Sequence, residues 1–476
     1  MSYCTEKWVP YAGAALLTVA YLSPQGLGYR FSVAQLDLQR IAILAVVALG
    51  AYTLIRTYLK GQRISLPKAG GLLLVVSCLF LVSAILSSNP KSGILFSSQF
   101  IVMWFIFPIC LWIVFENSRP IFVQRVLLML LGGFLAYSSF EIVSGTYAVK
   151  PWMRTSFWGI EGYEWLNQRV NIRNGALLIQ GPFMWNHGMA AALCTLVGVA
   201  YWFSERRTVL GQLIFGLFVI CIIATGTRAA LTAVIATTSL YIMFSRNWRV
   251  IPTIALALFA YYLFLGLSNE GSLVSLLTGF VRQPDLMFTG LPSETGFSGL
   301  PSMRFDDISA QWSSHSALTE SEIATAARHL DAVTFGIWSE DVLEQRLIGL
   351  GTLGERAAGL VLNVANFQSW AFSGYGWGAF QRPSQYPSDA IQYNDPGLWF
   401  LILFETGLLS SALLGWLLAH AFFSGLRNTQ VRPITFGLLA AFIFGLSSWE
   451  IWSLPLVIFM SIWILNTPKK AEEISD

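Results

Sequence analysis

Charged residues are scarce along this chain of 476 residues: aspartate, glutamate, lysine and arginine together make up 12% of it, whereas 55% is hydrophobic. The mean hydropathy is +0.59. A soluble protein carries about 25% charged residues, so this composition excludes an ordinary soluble enzyme. We expect an all-α protein, namely a polytopic helical membrane protein.

Cysteine and histidine are also rare, with five and four residues respectively. The cysteines, at positions 4, 78, 110, 194 and 221, lie mostly inside apolar runs and lack the paired spacing of a disulfide framework or a metal site. We therefore expect no metal site and no cofactor. The formal net charge of +3 says little about partners, because the basic residues lie in short loops between apolar runs.

Long apolar runs, by contrast, are abundant. A bilayer core requires roughly 20 apolar residues per helix, and twelve windows of this kind predict about 12 transmembrane helices. They fall near residues 9–24, 38–57, 67–87, 95–115, 121–143, 183–203, 208–225, 228–244, 249–267, 396–421, 433–447 and 450–466. The last two windows are the shortest.

Clusters of basic residues recur in every second loop between the predicted spans. Every even-numbered loop is basic, with Arg56, Lys60, Arg63 and Lys68 in the second, Arg119 and Arg125 in the fourth, Arg206 and Arg207 in the sixth, Arg246 and Arg249 in the eighth, and Arg427 and Arg432 in the tenth. The positive-inside rule places these loops and both termini in the cytoplasm. The odd-numbered loops are therefore exported.

This topology divides the chain into five parts. Residues 1–143 hold transmembrane helices 1–5, residues 144–182 form an exported loop, and residues 183–267 hold helices 6–9. Residues 268–395 form a large exported insert between spans 9 and 10. Residues 396–476 hold helices 10–12 and a cytoplasmic tail.

The insert lacks lysine entirely. Its residues 268–394 contain six arginines and thirteen acidic residues. Thr319 and Glu322 have the spacing of a capping box, which predicts a helix start, and two further helices are predicted after Ser339 and over residues 355–370. The insert is therefore partly helical. Arginine without lysine suits a diphosphate, because a guanidinium donates two parallel hydrogen bonds to phosphate oxygens.

Several further arginines lie at exported edges of the apolar spans. Arg228 stands between two hydrophobic helices, Arg169 and Arg173 belong to the preceding exported loop, and Arg356 opens the third insert helix. One interpretation is structural, with Arg228 reaching lipid headgroups or pairing with an acid such as Glu405. The functional interpretation is that these guanidinium groups converge on one outward-facing pocket that binds an anion.

Four short motifs carry a family resemblance. They are Gly181-Pro182-Phe183-Met184-Trp185-Asn186-His187, Thr227-Arg228-Ala229-Ala230, an arginine followed by a glycine turn (Arg356 and Gly374-Tyr375-Gly376-Trp377-Gly378-Ala379-Phe380), and Glu405-Thr406-Gly407-Leu408. Their order and spacing over residues 165–425 resemble the O-antigen polymerase and O-antigen ligase superfamily of bacterial inner-membrane glycan transferases. The resemblance implies that the exported segments are periplasmic.

One departure bears on the subclass. Ligases of the family usually place a His-Asn pair ahead of the Glu-x-Gly-Leu segment, where this chain has Pro396 and Gly397. Tyr393, Asn394 and Asp395 precede them. The missing histidine favours a polymerase over a ligase.

The resemblance implies transfer of a glycan from an undecaprenyl diphosphate carrier at the periplasmic face. A polymerase extends the chain on a lipid-linked repeat unit, whereas a ligase transfers it to lipopolysaccharide core. We expect Arg228 and Arg356 to stabilise the leaving diphosphate, with Asp395 as general base and His187 as the alternative base. Substrate-binding candidates are Arg169, Arg173, Tyr393, Asn394, Gly376 and Trp377.

The expected partners are the undecaprenyl diphosphate-linked oligosaccharide, membrane lipids, and a chain-length regulator and flippase of the same pathway, but no nucleic acid. A polysaccharide or lipid-linked glycan transporter is the alternative of another class. It is less favoured, because intramembrane charges are few and the two halves show no internal repeat of the kind common in transporters.

Overall fold

The computed structural model describes residues 6–24, 28–30, 35–62, 66–87, 90–116, 118–148, 172–173, 176–183, 186–205, 208–269, 318–335, 337–349, 352–376, 397–448 and 453–467. The regular secondary structure in these ranges is helical except for two antiparallel ribbons of two strands each. They pair β1 (Gly28–Arg30) with β2 (Gln35–Asp37), and β3 (Ile172–Arg173) with β4 (Ala176–Leu177).

The first part of the bundle consists of apolar helices, some opened by a proline in the first turn, where its missing N–H costs nothing. They are α1 (Val9–Leu22), α2 (Leu38–Leu59), α3 (Gly70–Leu86), α4 (Pro90–Ile101), α5 (Phe107–Phe115) and α6 (Pro120–Ser144). A π-helical turn, Val102–Ile106, joins α4 to α5. The second part contains α7 (Asn186–Glu205), α8 (Val209–Ala224), α9 (Arg228–Ser245) and α10 (Val250–Asn269).

The described part of the insert contains four helices. They are α11 (Glu320–Val333), α12 (Glu340–Gly349), α13 (Thr352–Ala365) and the single turn α14 (Phe367–Trp370). The capping box at Thr319 and Glu322 is confirmed. The third predicted helix is interrupted at Asn366, which leaves the helical region of φ and ψ and separates α13 from α14. Leu318, Ile323, Ala326, Ala327, Leu347, Ala358 and Leu362 form a small separate core beneath these helices.

Three apolar helices end the chain: α15 (Leu398–Leu426), α16 (Arg432–Gly445) and α17 (Leu454–Asn466). Every apolar window predicted from the sequence coincides with a helix. Among the described residues, six helices are long and apolar enough to cross a membrane, and six further apolar helices are shorter. The protein is thus a helical membrane protein, while the number of twelve crossings stays a prediction.

Helix α7 occupies the centre of the bundle, with 89% of its apolar window buried. It packs closely on α16 because glycines remove the side chains between them: Gly198 lies against Ile434, and Gly437 lies against the Thr195 carbonyl. Tyr201 of α7 stacks on Tyr241 of α9 with ring centroids 4.2 Å apart. These contacts fix the register of α7, α9 and α16.

One end of the bundle, which we call the basic end, carries the described cations of the even-numbered loops. Contacts there join Arg56 to Glu6, the Lys68 amide to Asn466, the Gln124 amide to the Gln430 carbonyl, and Asn247 to Ser204. Tyr11 also meets Phe122, and Gly425 lies against Ile464. The helix ends that the positive-inside rule predicts to be cytoplasmic therefore lie together.

The opposite end, which we call the loop end, gathers the helix ends that carry the exported loop and the insert. Its contacts join the Glu141 carboxylate to the Gln180 amide, Asn186 to the Thr225 carbonyl, Arg356 to the Ser447 carbonyl, and the Leu398 amide to the Ser448 carbonyl. Near this end, α15 is broken at Gly407, which has φ +82° and ψ 176°.

Candidate functional site

Two of the motifs meet at the loop end: the segment 181–187, which contains His187, and the segment 227–230, which contains Arg228. The Asn186 side chain, in the first turn of α7, donates to the Thr225 carbonyl at 2.8 Å and lies 3.5 Å from the Thr227 hydroxyl. The Ile179 amide donates to the Ala224 carbonyl at 3.1 Å. The segment that leads into α7 is therefore hydrogen-bonded to the turn between α8 and α9.

The turn between α8 and α9 depends on Gly226. This residue has φ +64°, and a Cβ atom there would run into Leu178. The Thr225 hydroxyl donates a hydrogen bond to the Ile222 carbonyl at 2.7 Å and accepts one from the Thr227 amide at 3.3 Å. A compact, buried turn results, and it directs the chain straight into α9.

Arg228 is the first residue of α9, and its side chain is exposed. Thr227, the N-cap residue, makes no side-chain hydrogen bond to the first turn of the helix. The N-terminus of a helix carries partial positive charge on its backbone N–H groups. The guanidinium and the start of α9 therefore place positive potential at the same point.

His187 is half-buried in the first turn of α7, next to Asn186. Because α7 and α16 run antiparallel, with Gly198 against Ile434 and Gly437 against Thr195, the first turn of α7 lies level with the last turn of α16. That last turn precedes Ser447. His187 and the contact made by Arg356 thus belong to the same end of the bundle.

Arg356 lies in the second turn of α13, half-buried, and its Nη1 donates to the Ser447 carbonyl at 3.1 Å. The C-terminal end of a helix presents carbonyl oxygens and partial negative charge, which favours a cation there. A guanidinium has five N–H donors, and this bond uses one of them. Arg356 therefore has a structural contact that the sequence did not predict, namely to the membrane helix α16.

Glu355, beside Arg356, lies in a less polar setting. Burial raises the pKa of the Glu355 carboxyl, and the adjacent Arg356 guanidinium acts in the opposite direction. The pair thus combines a fixed cation with an acid that favours its neutral form more than usual.

The glycine turn after α14 packs into the break of α15. The amides of Tyr375 and Gly376 donate to the carbonyls of Phe404 and Glu405 at 2.8 and 3.1 Å, and the Leu408 amide donates to the Ala371 carbonyl at 3.0 Å. These bonds satisfy backbone groups that the break removes from the helix. The insert is thereby joined to α15 by main-chain hydrogen bonds.

Glycine is required at three points of this junction. Gly374, Gly376 and Gly407 have φ values of +73°, +103° and +82°, and a Cβ atom on any of them would collide with a neighbouring segment. Gly376 lies against Ser87 of α3, so its contacts account for the glycine by packing. Its predicted role in glycan binding stays a prediction.

Five predicted site residues lie outside the described residues: Arg169, Trp377, Tyr393, Asn394 and Asp395. Arg173 belongs to β3 by its backbone, and its side chain is also outside the described part. Of the predicted set, the structure thus brings His187, Arg228 and Arg356 to one end of the bundle and locates Gly376 at the break of α15.

Sequence reasoning missed Glu141, which is fully buried near the end of α6. Its carboxylate accepts the amides of Gln180 and Gly181 at 2.8 and 3.1 Å. A single carboxylate inside an apolar span is a functional candidate by default, and that signal was available in the sequence. The contacts with Asn186 and Ser447 had no comparable local signal.

A cavity of about 450 Å³ lies beside the break of α15. It is lined by Leu79, Val82, Ala371, Phe372, Ser373, Thr406, Leu408, Leu409 and Ala412. This lining carries no charged side chain, so the cavity does not suit a diphosphate. Within the described part of the chain, no group of three or more histidine, cysteine, aspartate or glutamate side chains is arranged to hold a metal ion.

No protein-family model matches the chain, and no characterised protein matches it. The resemblance to the O-antigen polymerase and ligase superfamily therefore rests on the four motifs, their order and their spacing.

Proposed function

We propose that this protein is a metal-independent glycan polymerase of the bacterial inner membrane. It transfers a glycan from an undecaprenyl diphosphate carrier to a lipid-linked repeat unit at the periplasmic face. The product is O-antigen, capsule or exopolysaccharide. The observation that carries this proposal is the hydrogen-bonded junction at the loop end, where the His187 segment holds the turn that begins the Arg228 helix.

The reaction needs positive charge where the leaving group forms. A sugar hydroxyl of the acceptor attacks the anomeric carbon of the donor glycan, a new C–O bond forms, and the bond to the diphosphate breaks. The electron pair of that bond stays on the diphosphate, and the hydroxyl proton goes to a base. Preorganised cations aimed at such developing charge are commonly the largest catalytic contribution.

Arg228 fits this role by its position. It is exposed and therefore reachable by a lipid headgroup, and it adds its charge to the positive end of the α9 dipole. Arg356 adds a second guanidinium at the same end, on an element of the insert that is anchored to α16. His187 is the candidate base among the described residues, and Asp395 remains the candidate outside them.

The distribution of charge favours a transferase over a transporter. Transporters bind their substrates near the bilayer midplane, commonly at discontinuous helices. The break of α15 is a discontinuity, but the cavity beside it is apolar and uncharged. The described arginines of the predicted site, Arg228 and Arg356, lie instead at the loop end.

The decisive experiment uses the purified protein in lipid nanodiscs with a lipid-linked repeat unit as the only substrate, with and without lipopolysaccharide core. Product ladders without core support a polymerase. Transfer that occurs only when core is present identifies a ligase instead. No transfer under either condition, together with movement of the lipid-linked glycan across a proteoliposome membrane, replaces the transferase with a transporter.

A further inference from the structure

Glu141 links two separate parts of the chain at the loop end. Its Oε2 atom accepts the amides of Gln180 and Gly181, at 2.8 and 3.1 Å, and its Oε1 atom accepts the Ala148 amide at 3.2 Å. The side chain is 0% exposed. Ala148 and Gln180 stand at the two ends of the exported loop, so one buried carboxylate holds both of them to the end of α6.

These bonds are strong for their type. An ionised carboxylate has no N–H or O–H to donate and acts solely as an acceptor. Hydrogen bonds from backbone N–H groups to a carboxylate are stronger than those between neutral groups. Removing the carboxylate would leave two buried donors and the half-buried Ala148 amide without this acceptor, which costs more than losing an exposed contact. The geometry of residues 180–183 therefore depends on Glu141.

The loop that Glu141 holds has little freedom of its own. Gly181 has φ +58°, and a Cβ atom there would lie 2.9 Å from the Met189 sulfur. Phe183 follows Pro182 and stacks on Phe134 of α6 with ring centroids 5.8 Å apart. Carboxylate, glycine turn and aromatic contact together set where α7 begins.

Two contacts connect residues 180–183, which Glu141 holds, to the turn of residues 225–228, which we call the arginine turn. Just before the held loop, the Ile179 amide donates to the Ala224 carbonyl, and just after it, Asn186 donates to the Thr225 carbonyl. The turn that ends in Arg228 is thus attached on both sides of the segment that Glu141 binds. A shift of residues 180–183 displaces Arg228 as well.

We propose that Glu141 is a positioning residue: it holds residues 180–183 so that the 225–228 turn presents Arg228 to the diphosphate of the lipid-linked donor. This inference rests on the proposed function for its substrate. Glu141 itself is buried beneath backbone amides, so it acts through the arginine turn and not on the donor directly.

Two variants of Glu141 and one control test the proposal. Glu141→Gln retains an oxygen that can accept from Gln180 and Gly181, whereas Glu141→Ala retains no acceptor. The control is Glu205→Ala at the opposite end of α7, which removes a carboxylate that accepts the Tyr241 hydroxyl at 3.1 Å. The control loses the same functional group, but at the basic end.

The first measurement is hydrogen–deuterium exchange of the substrate-free proteins in nanodiscs. In Glu141→Ala we expect the amides of residues 178–181, 183 and 224–228 to exchange at least about 10-fold faster, because buried acceptors protect them. Glu141→Gln should lie between wild type and Glu141→Ala, and Glu205→Ala should match wild type in these segments. Unchanged exchange in Glu141→Ala would overturn the proposal.

The second measurement is polymerisation kinetics with varied donor concentration. We expect Glu141→Ala to lower kcat/KM at least about 10-fold, Glu141→Gln to recover most of it, and Glu205→Ala to stay near wild type at a similar Tm. Equal losses in Glu141→Ala and Glu205→Ala would instead indicate general destabilisation and overturn the proposal. If Glu141→Ala does not accumulate, Glu141→Gln serves alone, and exchange as slow as in wild type in both segments counts against the proposal.

The two measurements separate two kinds of failure. A wild-type protein that transfers no glycan refutes the proposed function, and the exchange experiment still decides whether Glu141 holds the turn. A wild-type polymerase whose Glu141 variants keep full activity refutes the positioning role alone.

Discussion

The basic end and the loop end of the bundle hold their charged residues in different ways. At the basic end, the described cations are mostly exposed, and the half-buried Arg56 pairs with Glu6. At the loop end, the described backbone around Arg228 is held by buried polar groups such as Glu141, Asn186 and Thr225. Charges that only orient a chain in a membrane need no fixed geometry, whereas a site for a diphosphate does.

Glycines with positive φ show the same contrast. Gly145, Gly181, Gly226, Gly374, Gly376 and Gly407 lie toward the loop end, whereas Gly61 is at the basic end. Such conformations mark tight turns and close approaches of the backbone. Within the described part of the chain, the loop end thus has more of these left-handed glycine turns than the basic end, and it is where we place the proposed site.

The strongest test of this contrast compares arginines at the two ends. We expect Arg228→Ala to lower polymer formation by about 100-fold or more, because it removes the cation that we propose stabilises the leaving diphosphate, without lowering protein abundance in the membrane. Arg249→Ala, an exposed arginine at the basic end, should leave polymer length and amount unchanged. Long polymers in the Arg228→Ala strain would remove Arg228 from the mechanism.

Arg356→Ala should have the next largest effect. It removes a guanidinium from the loop end and the hydrogen bond to the Ser447 carbonyl, so we expect at least about a 10-fold loss of polymer, together with a lower Tm. Arg356→Lys keeps a positive charge but lacks the planar fork. Full activity in the lysine variant would mean that charge alone is needed, and full activity in the alanine variant would leave Arg356 with its structural contact only.

A glycine substitution in α15 tests the junction of insert and membrane helix. Gly407→Ala puts a Cβ atom 2.6 Å from the Phe372 carbonyl oxygen at φ +82°, and we expect a cost of about 1–3 kcal/mol. Gly415→Ala in the same helix is the matched control, since a Cβ atom there meets nothing within 4 Å. Thermal unfolding in detergent measures both. Equal Tm values for the two variants would contradict the proposed tightness of the break.

The smallest expected effect concerns Glu355. Because burial raises the pKa of this carboxyl in the folded protein, the folded state favours its neutral form more than the unfolded state does. The carboxyl therefore lowers stability as the pH rises through its ordinary value of about 4.3 toward the raised value. The Tm of Glu355→Gln should match that of wild type at low pH and be slightly higher than that of wild type at neutral pH. A larger difference at low pH would reverse the sign of this argument.

The sequence predicted the helices well, because each membrane helix requires an apolar run. Such runs, and the short basic loops between them, are local features of the sequence. It also predicted the helix start at Thr319, since a capping box spans only four residues. It did not predict the interruption at Asn366 or the break at Gly407. The break at Gly407 is stabilised by partners elsewhere in the chain, namely the amide–carbonyl bonds with residues 371–376.

The candidate site divides in the same way. Its arginines and motifs were recognised from residue type and order, and the expectation of a shared pocket followed from topology. The roles of Asn186 and Glu141 were not predicted. Glu141 is visible in the sequence as a carboxylate within an apolar run, but its hydrogen bond of 2.8 Å to the Gln180 amide, 39 residues away, leaves no periodic signal.

By itself, the sequence determined that this is a helical membrane protein with its cations segregated by loop, because hydropathy and charge act on each segment separately. Only the tertiary structure decided that the α7 start, the arginine turn and the end of α16 meet at one end, with Glu141 holding the loop beneath them. Those meetings depend on hydrogen bonds between distant segments and on glycines that admit close packing, and neither can be read from one segment alone.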